Sequence, residues 1–306
     1  MVKASFQIFG DSGDGKTALI GEFAKWVFKQ SGGKIDPSTK RAVGGKRTRV
    51  YSADSGGWQT IQPLVDVGIV EVVPMLLIPN AFSWIDKIAK GMVPVEKVMN
   101  GKKITSWEQK LEGIGCCAYE GITAFSDCLM QNMADKAAAG INIGGDGAFN
   151  FTDGDKIIGS NNRGHYMQAQ SGVARAIATS QWMLPSDMYV IWTAMARRGE
   201  DENTSTVLGP QAAGKALTHD LPRWFVYTMR VSAEPQEDGS VKHRLYLEDH
   251  KDKMLKGAKG LGNSRVPLDA TIKLPNVIEP ASLVKAYEHI LAASNSAMNA
   301  LVEELK

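Results

Sequence analysis

Gly10, Asp11, Ser12, Gly13, Asp14, Gly15, Lys16 and Thr17 form the one stretch of this 306-residue chain whose residue types and spacing together specify a chemistry. They fit the pattern GxxxxGK[ST], which suits a polyphosphate. Glycines let the main chain wrap closely round phosphate oxygens, where a Cβ would block the required dihedrals. Amide N–H groups and the positive end of a following helix then face the anion. In such a loop Lys16 reaches the β- and γ-phosphates and the Thr17 hydroxyl sits on Mg²⁺. Asp11 and Asp14 are expected to point outward, away from the phosphates. ATP with magnesium is the expected ligand, and the lack of an NKxD base-reading motif tilts the choice away from GTP.

Phosphoryl transfer also needs a carboxylate to organise the magnesium water shell. Glu120 stands where that acid belongs, at the end of the apolar run IGCCAYE. Aspartate is commoner at such a position, and Asp127, two helical turns on, is the alternative; an ordinary strand-end acid is the plainer reading. Asp54 closes RVYSAD and could orient or deprotonate an attacking water. A turn-capping aspartate before Ser55-Gly56-Gly57 is its plainer reading.

The elements that must position these groups can be sketched from hydrophobic period. SFQIF (5–9) reads as a strand, and Leu19, Ile20, Phe23, Ala24, Val27 and Phe28 recur at helical spacing after Thr17. Strand, glycine-rich turn and helix are the context a phosphate loop requires. Residues 31–49 read as a basic loop, 49–54 and 69–78 as strands, 81–113 as helical, 114–119 as a buried strand and 122–139 as a helix. The glycine- and asparagine-rich stretch 140–164 reads as a long loop or insertion. A helix at 165–183 leads to strand 188–194, a polar loop at 196–221, strands at 224–231 and 241–249, and a basic loop at 251–265. After Pro280 an amphipathic helix fills 281–306. The division is therefore a core at 1–280 followed by that helix. Strands separated by helices argue for an α/β protein with a mostly parallel sheet covered on both faces.

Composition sets bounds on partners. Hydrophobic residues make up 43% and charged residues 22% of the chain, an ordinary globular balance with a formal charge of only +2. Any nucleic-acid site must come from local basic clusters. Cys116 and Cys117 are neighbours in an apolar run and Cys128 follows, which is neither a metal spacing nor a disulfide framework; reduced, buried thiols are expected. No apolar run is long enough to span a bilayer and the N-terminus lacks a signal-peptide layout, so a soluble cytoplasmic protein is expected.

The order of these parts resembles the RecA-type P-loop ATPase core. More narrowly, YSADSGGW, GHYMQAQ, VIWTA and LGPQAAGKALTHDLPRWF are similar to ATPases encoded by tailed phages, including those associated with single-strand annealing and recombination. The resemblance covers roughly residues 3–265. It implies that Asp54 is the catalytic acid, Glu120 the magnesium-organising acid and Thr193 the polar sensor on the central strand, where the family usually has Asn or Gln. It places two loops contacting single-stranded DNA at about 140–164 and 197–218, where Arg163, His165, Arg197, Arg198 and Lys215 are the available basic residues. It also implies that Lys251 and Lys253, in DHKDKMLKGAK, enter a neighbouring subunit's ATP site. An oligomer, ring or filament, follows from that last point. A helicase, loader or packaging motor on the same core, a nucleotide-dependent scaffold with little turnover, and a small-molecule kinase are the alternatives.

Overall fold

The computed structural model describes residues 4–54, 56–75, 80–99, 102–138, 163–198, 207–212, 221–247, 263–264 and 272–304. In chain order the elements are β1 (Ser5–Gly10), α1 (Lys16–Gln30), the short pair β2 (Lys34–Ile35) and β3 (Ala42–Val43), and β4 (Arg47–Ser52). A 3-10 turn, Gly57–Ile61, leads into α2 (Gln62–Val67), followed by β5 (Val70–Pro74), α3 (Ala81–Ala89), β6 (Met92–Met99), β7 (Lys102–Gln109) and β8 (Ile114–Glu120). Next come α4 (Ile122–Ala138), α5 (Arg163–Met183), β9 (Tyr189–Arg198), β10 (Val207–Pro210) and a second 3-10 turn, Leu221–Trp224. The chain ends through β11 (Tyr227–Pro235), β12 (Val241–Tyr246), β13 (Asn263–Ser264), β14 (Val277–Ile278) and α6 (Leu283–Glu304).

Most strands join one sheet in the order β14-β12-β11-β1-β9-β8-β4-β5, with β10 on β9 and β13 on β11. The run β11-β1-β9-β8-β4-β5 is parallel throughout. β10, β12, β13 and β14 are antiparallel additions. Parallel strands buried on both faces read as near-continuous apolar runs, and SFQIFG and IGCCAYE, apolar apart from Ser5, Gln7 and Glu120, are buried at every position.

Alternation along each strand assigns side chains to opposite faces. Phe6, Ile8, Cys116, Ala118 and Ile191 pack with Ile20, Phe23 and Val27 of α1 and Leu283, Tyr287 and Ile290 of α6. Phe9, Cys117, Tyr119, Val190 and Trp192 face the other way, against Trp84 and Ile88 of α3, Phe125 and Leu129 of α4, and Val173 and Ile177 of α5. The sheet is thus covered by helices on both faces. Tyr51, Tyr119 and Trp192 stack in a ladder across three strands, with centroid spacings of 5.3 and 4.1 Å. Each has an outlet for its polar atom: Tyr51 donates to Met92 O, Tyr119 to Ile88 O and Trp192 to Ser180 Oγ.

Several local expectations are corrected. The helix expected over 81–113 stops at Ala89, and Met92–Gln109 is a β-hairpin whose register pairs Met99 with Lys102. The two residues between them in the sequence are Asn100-Gly101, the strongest short hairpin signal a sequence carries. Pro94 and the β-branched Val93 and Val95 also disfavour a helix. The strand expected over 69–78 is described only as Val70–Pro74, the basic loop at 31–49 contains the β2–β3 pair, and the polar loop at 196–221 contains β10 folded back onto an extended β9. Cys116 and Cys117 are buried on opposite faces of the sheet and Cys128 is half-buried, none of them in a disulfide.

Candidate functional site

β1 ends at Gly10 and α1 begins at Lys16, so the glycine-rich loop joins a central strand to a helix. Two of its glycines do work that other residues could not do without strain. Gly13 and Gly15 have φ of 85° and 97°, in the left-handed region. At Gly10 a Cβ would lie 2.5 Å from the Val231 carbonyl oxygen. Lys16 folds back over the loop, its Nζ donating to Gly10 O at 2.9 Å and Asp11 O at 2.6 Å and lying 3.7 Å from Met195 Sδ. Burial pulls the Lys16 pKa down, against the opposing pull of Asp14, Asp11, Glu120 and Asp54.

The expectation that both loop aspartates point outward does not hold for Asp14. Its side chain is buried; Oδ2 accepts the Asp11 N–H at 2.6 Å and Oδ1 accepts the Ala233 N–H at 3.0 Å. The geometric reason is the neighbouring strand: β11 runs beside β1 and offers Ala233 N–H at the loop's edge. Asp14 is therefore a latch between loop and sheet.

Glu120, the last residue of β8, is buried between Thr17 and Ser52. The Thr17 hydroxyl donates to Glu120 Oε1, and Ser52 Oγ donates to Oε2 at 3.2 Å. Burial pushes the Glu120 pKa up, partly offset by the hydrogen bonds from Thr17 and Ser52; Asp54 adds to the rise and Lys16 opposes it. Asp54 is exposed two residues beyond β4. Its Oδ1 accepts the Gly56 N–H at 3.3 Å, the turn-capping contact of the plainer reading, while the residue also faces the pocket. A Cβ on Gly57 would lie 3.0 Å from Glu120 Oε1 and 3.2 Å from Asp54 Oδ2, so that glycine keeps the space between the two carboxylates clear.

Thr193 is buried in β9, opposite Ile8 of β1, and accepts the Gly121 N–H at 2.9 Å. Two residues on, Met195 pairs with Gly10 and donates its N–H to Thr123 Oγ1 at 3.2 Å. A pocket of about 430 Å³ gathers Ser12, Gly13, Gly15, Lys16, Thr17, Asp54, Glu120, Thr193, Met195 and His243 among its walls. It opens beyond the carboxyl ends of β1, β4 and β8, where α/β sheets hold their ligands.

Other candidates are elsewhere. Asp127 is exposed on α4 and does not line this pocket. Arg163 opens α5, and Arg197 and Arg198 close β9, with Arg198 paired to Val207. Lys215, Lys251 and Lys253, and the stretch 140–162, lie outside the described residues. His243 was not singled out by sequence reasoning. It comes from β12, and its Nδ1 lies 3.0 Å from Asp14 O. A lone histidine in an alternating strand carries no local signal; only the sheet order brings it to the loop.

Among the described residues no group of three or more His, Cys, Asp or Glu could hold a metal by itself. The donor set present is one hydroxyl hydrogen-bonded to one buried carboxylate, which fits magnesium, a cation that keeps waters and takes its other ligands from phosphates. No helix among the described residues is long and apolar enough to cross a membrane. Comparison with models of known protein families and with curated proteins finds no match for the chain.

Proposed function

We propose that this chain is a magnesium-dependent nucleoside triphosphatase, with ATP as the expected substrate, on a RecA-like core that acts on DNA as an oligomer. The observation that carries the reading is the convergence of Lys16, Thr17, Asp54, Glu120 and Thr193 on one pocket at the carboxyl ends of parallel strands. β9 lies between β1 and β8, as a central strand bearing a polar sensor must.

In the reaction water attacks the γ-phosphorus in line and the ADP oxygen leaves. Lys16 exchanges its bonds to Gly10 O and Asp11 O for phosphate oxygens and neutralises their charge. Asp54, exposed at the pocket wall, orients the water and takes its proton. Thr17 and Glu120 would hold the magnesium, which supplies charge neutralisation on the phosphates when bound. Thr193 contacts the γ-phosphate or the water from β9. Lys251 and Lys253 of a neighbouring copy are the proposed trans cations. DNA rests on the resemblance and on Arg197 and Arg198, which leave β9 at the pocket end of the strand.

A second reading, a nucleotide-dependent scaffold with slow turnover, is favoured by Met195, which offers Lys16 a thioether where a polar partner would be more usual. Both are tested by ATP hydrolysis with magnesium, with and without single-stranded DNA, beside Lys16→Ala. DNA-stimulated turnover that falls by about a hundredfold or more in the variant is expected. Hydrolysis indifferent to DNA removes the nucleic-acid role, and tight binding without turnover makes the scaffold reading the better one.

A further inference from the structure

A second cavity, of about 330 Å³, adjoins the phosphate pocket and shares Gly15, Ala18 and His243 with it. The two differ in chemistry. The first is walled by a lysine, carboxylates and hydroxyls. The second is walled mainly by Ala18, Leu19, Val231, Pro280 and Ala281, with the His243 ring standing between the two. Asp14 and Glu22 also line it, but their carboxylates are taken up by the Asp11 and Ala233 N–H groups and by Ser282 and Leu283. A nucleotide has the same division, an anionic tail joined to a flat apolar ring system, and a volume near the lower end of the ~300–1,000 Å³ range suits a fragment of that size.

We infer that this cavity seats the base of the bound nucleotide, with the His243 ring as its stacking face and Pro280-Ala281 as the opposite wall. The inference rests on the phosphate reading of the Lys16 pocket. The walls are held in place before any ligand arrives. Asp14 O can only accept, so His243 Nδ1 carries the proton of their 3.0 Å bond and the ring is pinned by one edge. The Ala281 N–H donates to His243 O at 2.8 Å, tying the opposite wall to the same residue. Glu22, also at the cavity, accepts Ser282 Oγ at 2.5 Å and the Leu283 N–H at 2.8 Å, which fastens the start of α6 to α1. Lys242 and Arg244, either side of His243, both pair with Glu279.

The experiment is calorimetric titration of Mg-ATP and of magnesium tripolyphosphate into the wild type, Ala281→Trp, His243→Ala and Lys16→Ala. The wild type is expected to bind ATP at least about tenfold more tightly than tripolyphosphate, the surplus coming from the base. Ala281→Trp, filling the slot, should remove most of that surplus and leave tripolyphosphate within about twofold; His243→Ala should remove a smaller part. ATP binding at wild-type strength in both variants, with Lys16→Ala weakening both ligands, overturns the base slot and leaves the phosphate site standing. Ligands indifferent to Lys16→Ala overturn the phosphate reading itself. Unfolding curves without ligand verify that each variant is folded, and Ala281→Leu carries the same comparison if the tryptophan is not accommodated.

Discussion

Glu120 holds its carboxylate where desolvation opposes the charge and two hydroxyls support it. Its pKa is raised on folding, so the folded chain takes up a proton more readily than the unfolded one just above the ordinary carboxylate range. Stability from this group is therefore present when it is protonated and is lost as pH rises through the folded pKa. Glu120→Gln, which removes the buried charge and keeps an acceptor for Thr17, should raise the metal-free melting temperature at pH 7.5 by roughly 2 °C, about 1 kcal/mol in a chain of this size. The gain should disappear in acid, where both side chains are neutral. Thermal denaturation in EDTA across pH measures it; a variant less stable than wild type at neutral pH would show that the Thr17 and Ser52 hydrogen bonds outweigh desolvation. With magnesium and ATP the order should reverse, because only the carboxylate gains from the cation.

At the scale of elements, the glycine-rich loop is a strand-to-helix turn fastened sideways to β11 and β12 by Asp14 and His243. Asp14→Ala strips the partners from the Asp11 and Ala233 N–H groups, and unsatisfied buried donors cost about 1–3 kcal/mol. We expect a melting temperature lower by about 4 °C and weaker ATP binding, measured on the same sample; an unchanged melting temperature would mean that water replaces the latch. These fastenings also explain which parts of the site could be read in advance. Lys16 and Thr17 sit at the start of a helix because their spacing from Gly10 and the period of Leu19, Ile20 and Phe23 demand it, and Glu120 ends a strand because IGCCAY is apolar throughout. Such signals are local. Asp14 meets Ala233, and His243 meets Asp14, across more than two hundred residues, and no spacing rule reaches that far. The hairpin at Met92–Gln109 is different: Asn100-Gly101, between stretches that place Val93, Val95 and Val98 before it and Ile104 and Thr105 after it, is a local signal of the same kind.

For the whole molecule, α6 belongs to the fabric of the sheet. Leu283, Tyr287 and Ile290 are buried against α1, and Tyr287 joins Phe6, Phe23, Trp26 and Tyr189 in an edge-to-face cluster. Burying each large side chain is worth about 1.5–3 kcal/mol, so a chain ended at residue 280 forfeits most of a typical folding free energy. Such a truncation should be insoluble or bind a hydrophobic dye strongly; a soluble, cooperatively melting product would show that the helix is dispensable. The sheet order has a further consequence, for the order of assembly. β1 and β8 are not paired with each other; β9, synthesised after both, lies between them and sets their spacing at two strand widths, about 10 Å. Until residues 189–198 leave the ribosome, the strand that joins the lysine side of the pocket to the glutamate side within the sheet is missing. On the proposed function, the polypeptide thus has no framed triphosphate site before β9 is in place, and nucleotide can assist folding only after the central strand has closed the gap.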